Sequence, residues 1–253
     1  MAKLQLCSRS LAISVLCLGL VVAAPATASI TQIDSPITVK ARAGWSITTS
    51  YNGFVNENLV GALKAQTVFT LKSVSSDKRT WVFDLTSVTN NTASPVNSRI
   101  SIYGFDIDAF SAGGSGIART ATTTTSAIFS QVDSGNVPQI GPLLDVCFRA
   151  GGGGSGCSSG GGGGVFPTTP APVVTPTFTM TFASAVDRLT FNNFFVRYQS
   201  IDGDGFKGAS GVGVVETISF IDPLPEPGTW VQMIAGFGLI GAATRRRRDA
   251  AAA

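Results

Sequence analysis

The chain has 253 residues, of which 44% are hydrophobic and only 13% charged, and it contains no histidine. The missing imidazole excludes every mechanism that needs one as base, relay or metal ligand. Between residues 29 and 224 there are 12 basic and 13 acidic side chains, so the body carries no electrostatic footprint for nucleic acid.

The N-terminus reads as an export signal. Lys3 and Arg9 give a positive start, and Leu11 to Ala24 is apolar. Ala26 and Ala28 then place small residues at the positions a signal peptidase tests, which predicts cleavage before Ser29. The apolar core is short of the ~20 residues a bilayer requires, so residues 1–28 are expected as a signal helix and not as an anchor. Cys7 and Cys17 leave with that segment, and Cys147 and Cys157 remain.

Residues 29–222 are expected to form one secreted domain. Thr67–Lys72, Trp81–Thr86 and Arg99–Phe105 alternate apolar and polar residues in the strand manner. Phe178, Met180 and Phe182 alternate with threonines, and Phe194, Val196 and Tyr198 continue that pattern. Residues 212–220 read as a last strand before Pro223. Short strands at this spacing predict an all-β, antiparallel β-sandwich, with the jelly roll as one arrangement of it. Ala150 to Pro176 interrupts the pattern: ten of residues 151–164 are glycine, and a Pro/Thr-rich stretch follows. Such a composition buries little apolar surface and predicts a flexible loop. Cys147 and Cys157 flank the first glycine tract, and an oxidising compartment predicts a disulfide between them.

Pro225, Glu226 and Pro227 hold the next segment extended, because proline lacks the donor that helix or sheet requires. Trp230 opens an apolar run of about 229–244, the expected membrane span. Gly236, Gly238 and Gly241 give it a face of small residues, and Arg245, Arg246, Arg247 and Arg248 end it as a cytoplasmic anchor. Gly236-x-Gly238-x-x-Gly241 also matches the dinucleotide fingerprint in letters, but no strand precedes it in the pattern.

Pro225-Glu226-Pro227, Trp230, Gly236-Phe237-Gly238, Gly241 and the four arginines together resemble the PEP-CTERM sorting domain of Gram-negative bacteria. The resemblance covers Pro225 to Arg248 within an expected sorting domain of 223–248, with 249–253 as a trailing segment, and Gln232 inside the apolar run departs from it. It implies recognition by exosortase, a membrane cysteine protease, and cleavage near Pro-Glu-Pro. The body would pass transiently through the inner membrane and end at the cell surface or in the exopolysaccharide matrix. Cys147, the glycine run with Cys157, and Phe195 to Ser200 are also similar to the cistern subgroup of such proteins.

The chemistry available to the body is thin. Asp202-Gly203-Asp204-Gly205 could turn two carboxylates toward a Ca²⁺ ion, or it could be a hairpin turn. Apart from that ion no cofactor is expected. Asp106, Asp108, Asp202 and Glu216 could supply a paired-carboxylate glycoside hydrolase, but no spacing can be read from the chain. Trp45, Tyr51, Trp81, Tyr103 and Tyr198 could stack on sugars in a carbohydrate-binding module, or could be core. The expectation is a non-catalytic surface or matrix protein, with signal peptidase and exosortase as partners and exopolysaccharide as a candidate ligand.

Overall fold

A computed structural model describes residues 36–139, 143–158, 161–170, 175–222, 232–238 and 240. Among these residues eleven strands occur: β1 (Ile37–Lys40), β2 (Ser46–Val55), β3 (Asn58–Val74), β4 (Thr80–Asn90), β5 (Asn97–Phe110), β6 (Arg119–Thr124), β7 (Gln131–Asn136), β8 (Leu143–Arg149), β9 (Thr177–Phe182), β10 (Arg188–Gly203) and β11 (Phe206–Ile221). Every pairing is antiparallel. The hydrogen-bonded path runs β6-β9-β4-β3-β2-β11-β10-β5-β8-β7, with β1 added to β10. The two ends of that path, β6 and β7, approach each other. The antiparallel all-β class is therefore observed, as one continuous and nearly closed sheet where a sandwich would part into two.

Side-chain alternation sets which face turns inward. On β3, Leu63, Ala65, Thr67, Phe69 and Leu71 are buried while Lys64, Gln66 and Lys72 are not. Trp81, Phe83 and Leu85 on β4 and Phe178, Met180 and Phe182 on β9 fill the same interior. Rings dominate it. Phe83 stacks on Phe178 at 4.5 Å, and Phe69 lies within 6.5 Å of Trp45, Phe105, Phe191 and Phe194. Each such pair adds about 0.5–1.5 kcal/mol beyond its buried area.

A second apolar cluster lies on the outer face of β5, β10 and β11. It contains Phe54, Ile102, Val137, Leu144, Cys147, Cys157, Phe195, Val212 and Val214. The middle of β5 is consequently buried on both faces. Consecutive Phe194 and Phe195 on β10 serve opposite clusters by ordinary strand alternation, and a bulge between Asn192 and Phe195 keeps Phe191 and Phe194, three positions apart, in the same one.

The strands that follow the glycine-rich loop pair with strands that precede it. β9 joins β4, β10 joins β5 and β1, and β11 joins β2.

Candidate functional site

The residues singled out by sequence fall into distinct places. Trp45, Tyr51, Trp81, Tyr103 and Tyr198 are all buried, none more than 2% exposed. None of these rings is available to stack on a sugar; all five are core. The Tyr51 hydroxyl shares a hydrogen bond of 2.9 Å with Thr67. Burial pushes the phenols of Tyr51, Tyr103 and Tyr198 well up from their ordinary value.

Of the candidate carboxylates, Asp106 and Asp108 lie near each other and near Asp145. Asp106 on β5 is half-buried. Its Oδ2 accepts from Asn193 Nδ2 at 2.6 Å and its Oδ1 from the amide of Asp145 at 2.9 Å. Desolvation raises its pKa, and those two hydrogen bonds partly offset the rise. Asp108 is exposed on the same strand. Glu216 on β11 makes a 2.9 Å ion pair with Lys64 of β3. Asp202 registers with Asn97 and Asp106 with Asn192. The nine rises along β5 from Asn97 to Asp106 span roughly 30 Å, which separates Asp202 from Asp106.

Asp202–Gly205 closes the β10–β11 hairpin. Gly203 pairs with Phe206, and Asp204 and Gly205 occupy the tip at φ 50° and 85°. Two successive positive φ values define the type I′ turn, which favours Asp-Gly. Asp202 Oδ1 accepts from the amide of Gly208 at 2.9 Å. Among the described residues no group of three or more acidic or cysteine side chains gathers as a metal set.

Cys147 and Cys157 form a disulfide with their Cα atoms 5.7 Å apart. Around it the described residues of the glycine-rich loop are hydrogen-bonded to the sheet. Arg149, only 4% exposed, donates to the carbonyls of Gly153 at 3.2 Å and Gly154 at 3.1 Å, and pairs with Asp133 at 2.9 Å. Arg99 on β5 donates to the carbonyls of Gly161, at 2.6 Å, and Gly163. The amide of Gly161 donates to Ala150 O at 2.9 Å, and Val165 bridges to Ile100. A Cβ at Gly161 would lie 2.6 Å from the carbonyl oxygen of Gly152. Glycine is required there because two backbones touch, and the guanidinium groups satisfy carbonyls that have no strand partner.

Two surface features have no sequence signal. The first is an apolar pocket of about 410 Å³ between the second half of β4 and the 125–129 loop, lined by Leu85, Val88, Ile128, Phe129, Val165 and Pro176. The second is an open hollow lined by Lys40, Arg42, Lys78, Asp187 and Arg188 at the end of the sheet where β11 finishes. These cations are mostly scattered in sequence and become neighbours only through the fold.

The export and sorting signals fall mostly outside the described residues. That holds for Ala26, Ala28, Ser29, Pro225, Glu226, Pro227, Trp230, Gly241, Arg245, Arg246, Arg247 and Arg248. Gly236, Phe237 and Gly238 lie in a short helix over 232–238, with Phe237 69% exposed. Among the described residues no helix is long and apolar enough to cross a membrane. Comparison of the chain with protein families, with curated proteins and with solved structures finds no match.

Proposed function

We propose that the chain is an exported, non-catalytic bacterial surface or matrix protein whose last two dozen residues are a sorting signal cut by exosortase. One observation carries this reading: Pro-Glu-Pro, an apolar run opened by Trp230 and four arginines follow each other in order between residues 225 and 248. The N-terminal signal gives the matching orientation, with the body outside and the arginines inside. The Cys147–Cys157 disulfide is compatible with an oxidising compartment. Asp106, Asp202 and Glu216 each serve a local hydrogen bond or ion pair, which supports a structural role for them. The tail follows Asp222, an exposed residue just past the end of β11, within reach of a membrane protease.

The intact mass of the protein recovered from the cell surface tests the proposal. The expected mature chain begins at Ser29 and ends close to Pro225–Pro227. In a strain without exosortase it keeps Arg245 to Arg248. A surface-exposed wild-type chain that still carries Asp249 to Ala253 would refute the sorting role.

A further inference from the structure

Four loops meet at the end of the sheet from which the chain leaves β11. They are 41–45, 75–79, 111–118 and 183–187, and backbone hydrogen bonds join them. The amide of Ala41 donates to Asp187 O at 3.0 Å, that of Val186 to Lys78 O at 3.0 Å, and that of Ala183 to Ala118 O at 2.9 Å. This pole is therefore a built surface and not a set of independent loops. Five exposed cations stand on it: Lys40, Arg42, Lys78, Arg79 and Arg188.

Three carboxylates are present at the same pole. Asp187 pairs with Lys78 at 2.6 Å and Asp222 with Arg42 at 2.7 Å. Asp77 accepts from the Ser75 hydroxyl at 2.5 Å and the Arg79 amide at 3.1 Å. Among the described residues Lys40, Arg79 and Arg188 make no direct ion pair, although Arg79 acts on Asp77 and Arg188 on Asp187 at longer range. Arg188 instead lies 5.9 Å from the centre of the Phe110 ring. The pole is net positive, although residues 29–224 as a whole are not.

The position of this charge matters because of where the chain goes next. Ile221, 61% exposed, pairs with Ser46, and Asp222 is tied to Arg42 beside the hollow. Phe220, 40% exposed, adds a ring to the same rim. Eight residues take the chain from Asp222 to Trp230, a reach of at most roughly 29 Å. With the apolar segment embedded, the cationic pole is the part of the body nearest the bilayer.

We infer that this pole is a docking face for anionic phospholipid headgroups that seats the body against the membrane while the sorting tail is in place. The inference rests on the reading of the tail as a membrane segment. Each exposed cation near an anionic leaflet strengthens attachment by about fivefold. Screening confines that gain to direct approach, since the Debye length is ~8 Å at physiological salt. A tether this short supplies an effective concentration in the millimolar range, so a weak site suffices. Cleavage near Pro225 removes the tether, and the same weak site then lets the body go.

Hydrogen exchange on the chain from Ser29 to Ala253, with the sorting tail uncut, in nanodiscs tests this. The nanodiscs are phosphatidylcholine alone, or phosphatidylcholine mixed with phosphatidylglycerol. The expected result is exchange at least about fivefold slower over 41–45 and 75–79 in the anionic nanodisc only. The protection disappears in about 0.5 M NaCl. The variant K40E/K78E/R188E also loses it, whereas K207E at the opposite pole keeps it. Should the triple variant misfold, the salt titration on the wild-type chain decides alone.

Incorporation into both nanodiscs with no lipid-dependent protection overturns the docking face and leaves the tail reading intact. Equal protection in phosphatidylcholine alone overturns it as well. Failure to incorporate into either nanodisc overturns the tail reading, and this inference with it. Equal protection by inorganic phosphate, or by an acidic polysaccharide without a bilayer, assigns the pole to that ligand and overturns the lipid.

Discussion

Reduction of the Cys147–Cys157 bond isolates what the crosslink contributes. Both cysteines are fully buried in the outer apolar cluster, and ten positions separate them in sequence. The closed loop is therefore short, and the chain-entropy model assigns it about 2.8 kcal/mol at 25 °C. For a body of this size that corresponds to a fall in Tm of roughly 6–11 °C. Reduction leaves both sulfur atoms in place, so packing is largely retained. The double variant C147A/C157A also removes buried sulfur and should melt lower. C147S/C157S buries two hydroxyls among Phe54, Ile102, Phe195 and Val212, at a further cost of about 1–3 kcal/mol for each hydroxyl left without a partner. Far-UV circular dichroism on heating, with and without reductant, gives the order: oxidised, reduced, alanine, serine. An unchanged Tm on reduction would refute the entropic reasoning and leave Arg99 and Arg149 as the restraints on the loop. Equal melting of the serine and alanine variants would contradict the burial of this cluster.

Two further predictions concern the glycine tract and Asp106. Gly161→Ala places a methyl 2.6 Å from Gly152 O and 2.9 Å from Gly151 C, both backbone atoms, whereas a Cβ at Gly162 meets nothing within 4 Å. Urea unfolding should show a loss of about 1–3 kcal/mol for the first variant and a near-neutral effect for the second, and equal effects would remove the close approach as the reason for glycine. Desolvation raises the Asp106 carboxyl in the fold, while the side-chain hydrogen bond from Lys78 first of all lowers that of Asp187. Carboxyl NMR should show Asp106 titrating at higher pH than Asp187, and the reverse order would refute the assignment. The sign for stability follows: a carboxyl raised in the fold binds its proton more tightly there than in the unfolded chain. The Asp106 contribution therefore falls as pH rises from the ordinary carboxylate value through the raised one.

Strands that bury one face and expose the other are legible in the sequence. β3, β4 and β9 carry Phe69, Phe83 and Phe178 at alternating positions, and their sequence period is the physical cause of their place in the sheet. β6 and β7 are harder to read, because Arg119–Thr124 and Gln131–Asn136 bury no side chain fully. β8 is hidden for the opposite reason: from Val146 to Arg149 it is buried on both faces and shows no alternation. β2 is obscured by Thr49, a fully buried hydroxyl residue between Ile47 and Tyr51. The contacts of the glycine-rich loop are not legible in its composition. Composition describes what a segment can bury, and says nothing of Arg99 and Arg149, which reach it from β5 and β8. The cationic pole leaves no local trace, since Lys40, Lys78 and Arg188 belong to different loops and strands.

The same sheet also protects its edges. A path of this length would leave two long rows of unpaired backbone groups if it stayed flat. Instead the path ends in two six-residue strands, β6 and β7, that curl toward each other. Exposed Thr120 and Thr123 on β6 and polar residues on β7 give those short edges little apolar surface for a second chain to add to. The long strands β3, β5, β10 and β11 all lie inside the path, paired on both sides. Edge protection thus falls on the segments with the least hydrophobic sequence, which is why they are the least visible as strands. Legibility and safety oppose each other here. With valine or isoleucine in place of Thr120, Thr122 and Thr124, β6 would announce itself by its alternation, and it would offer the nearly closed sheet an edge for aggregation.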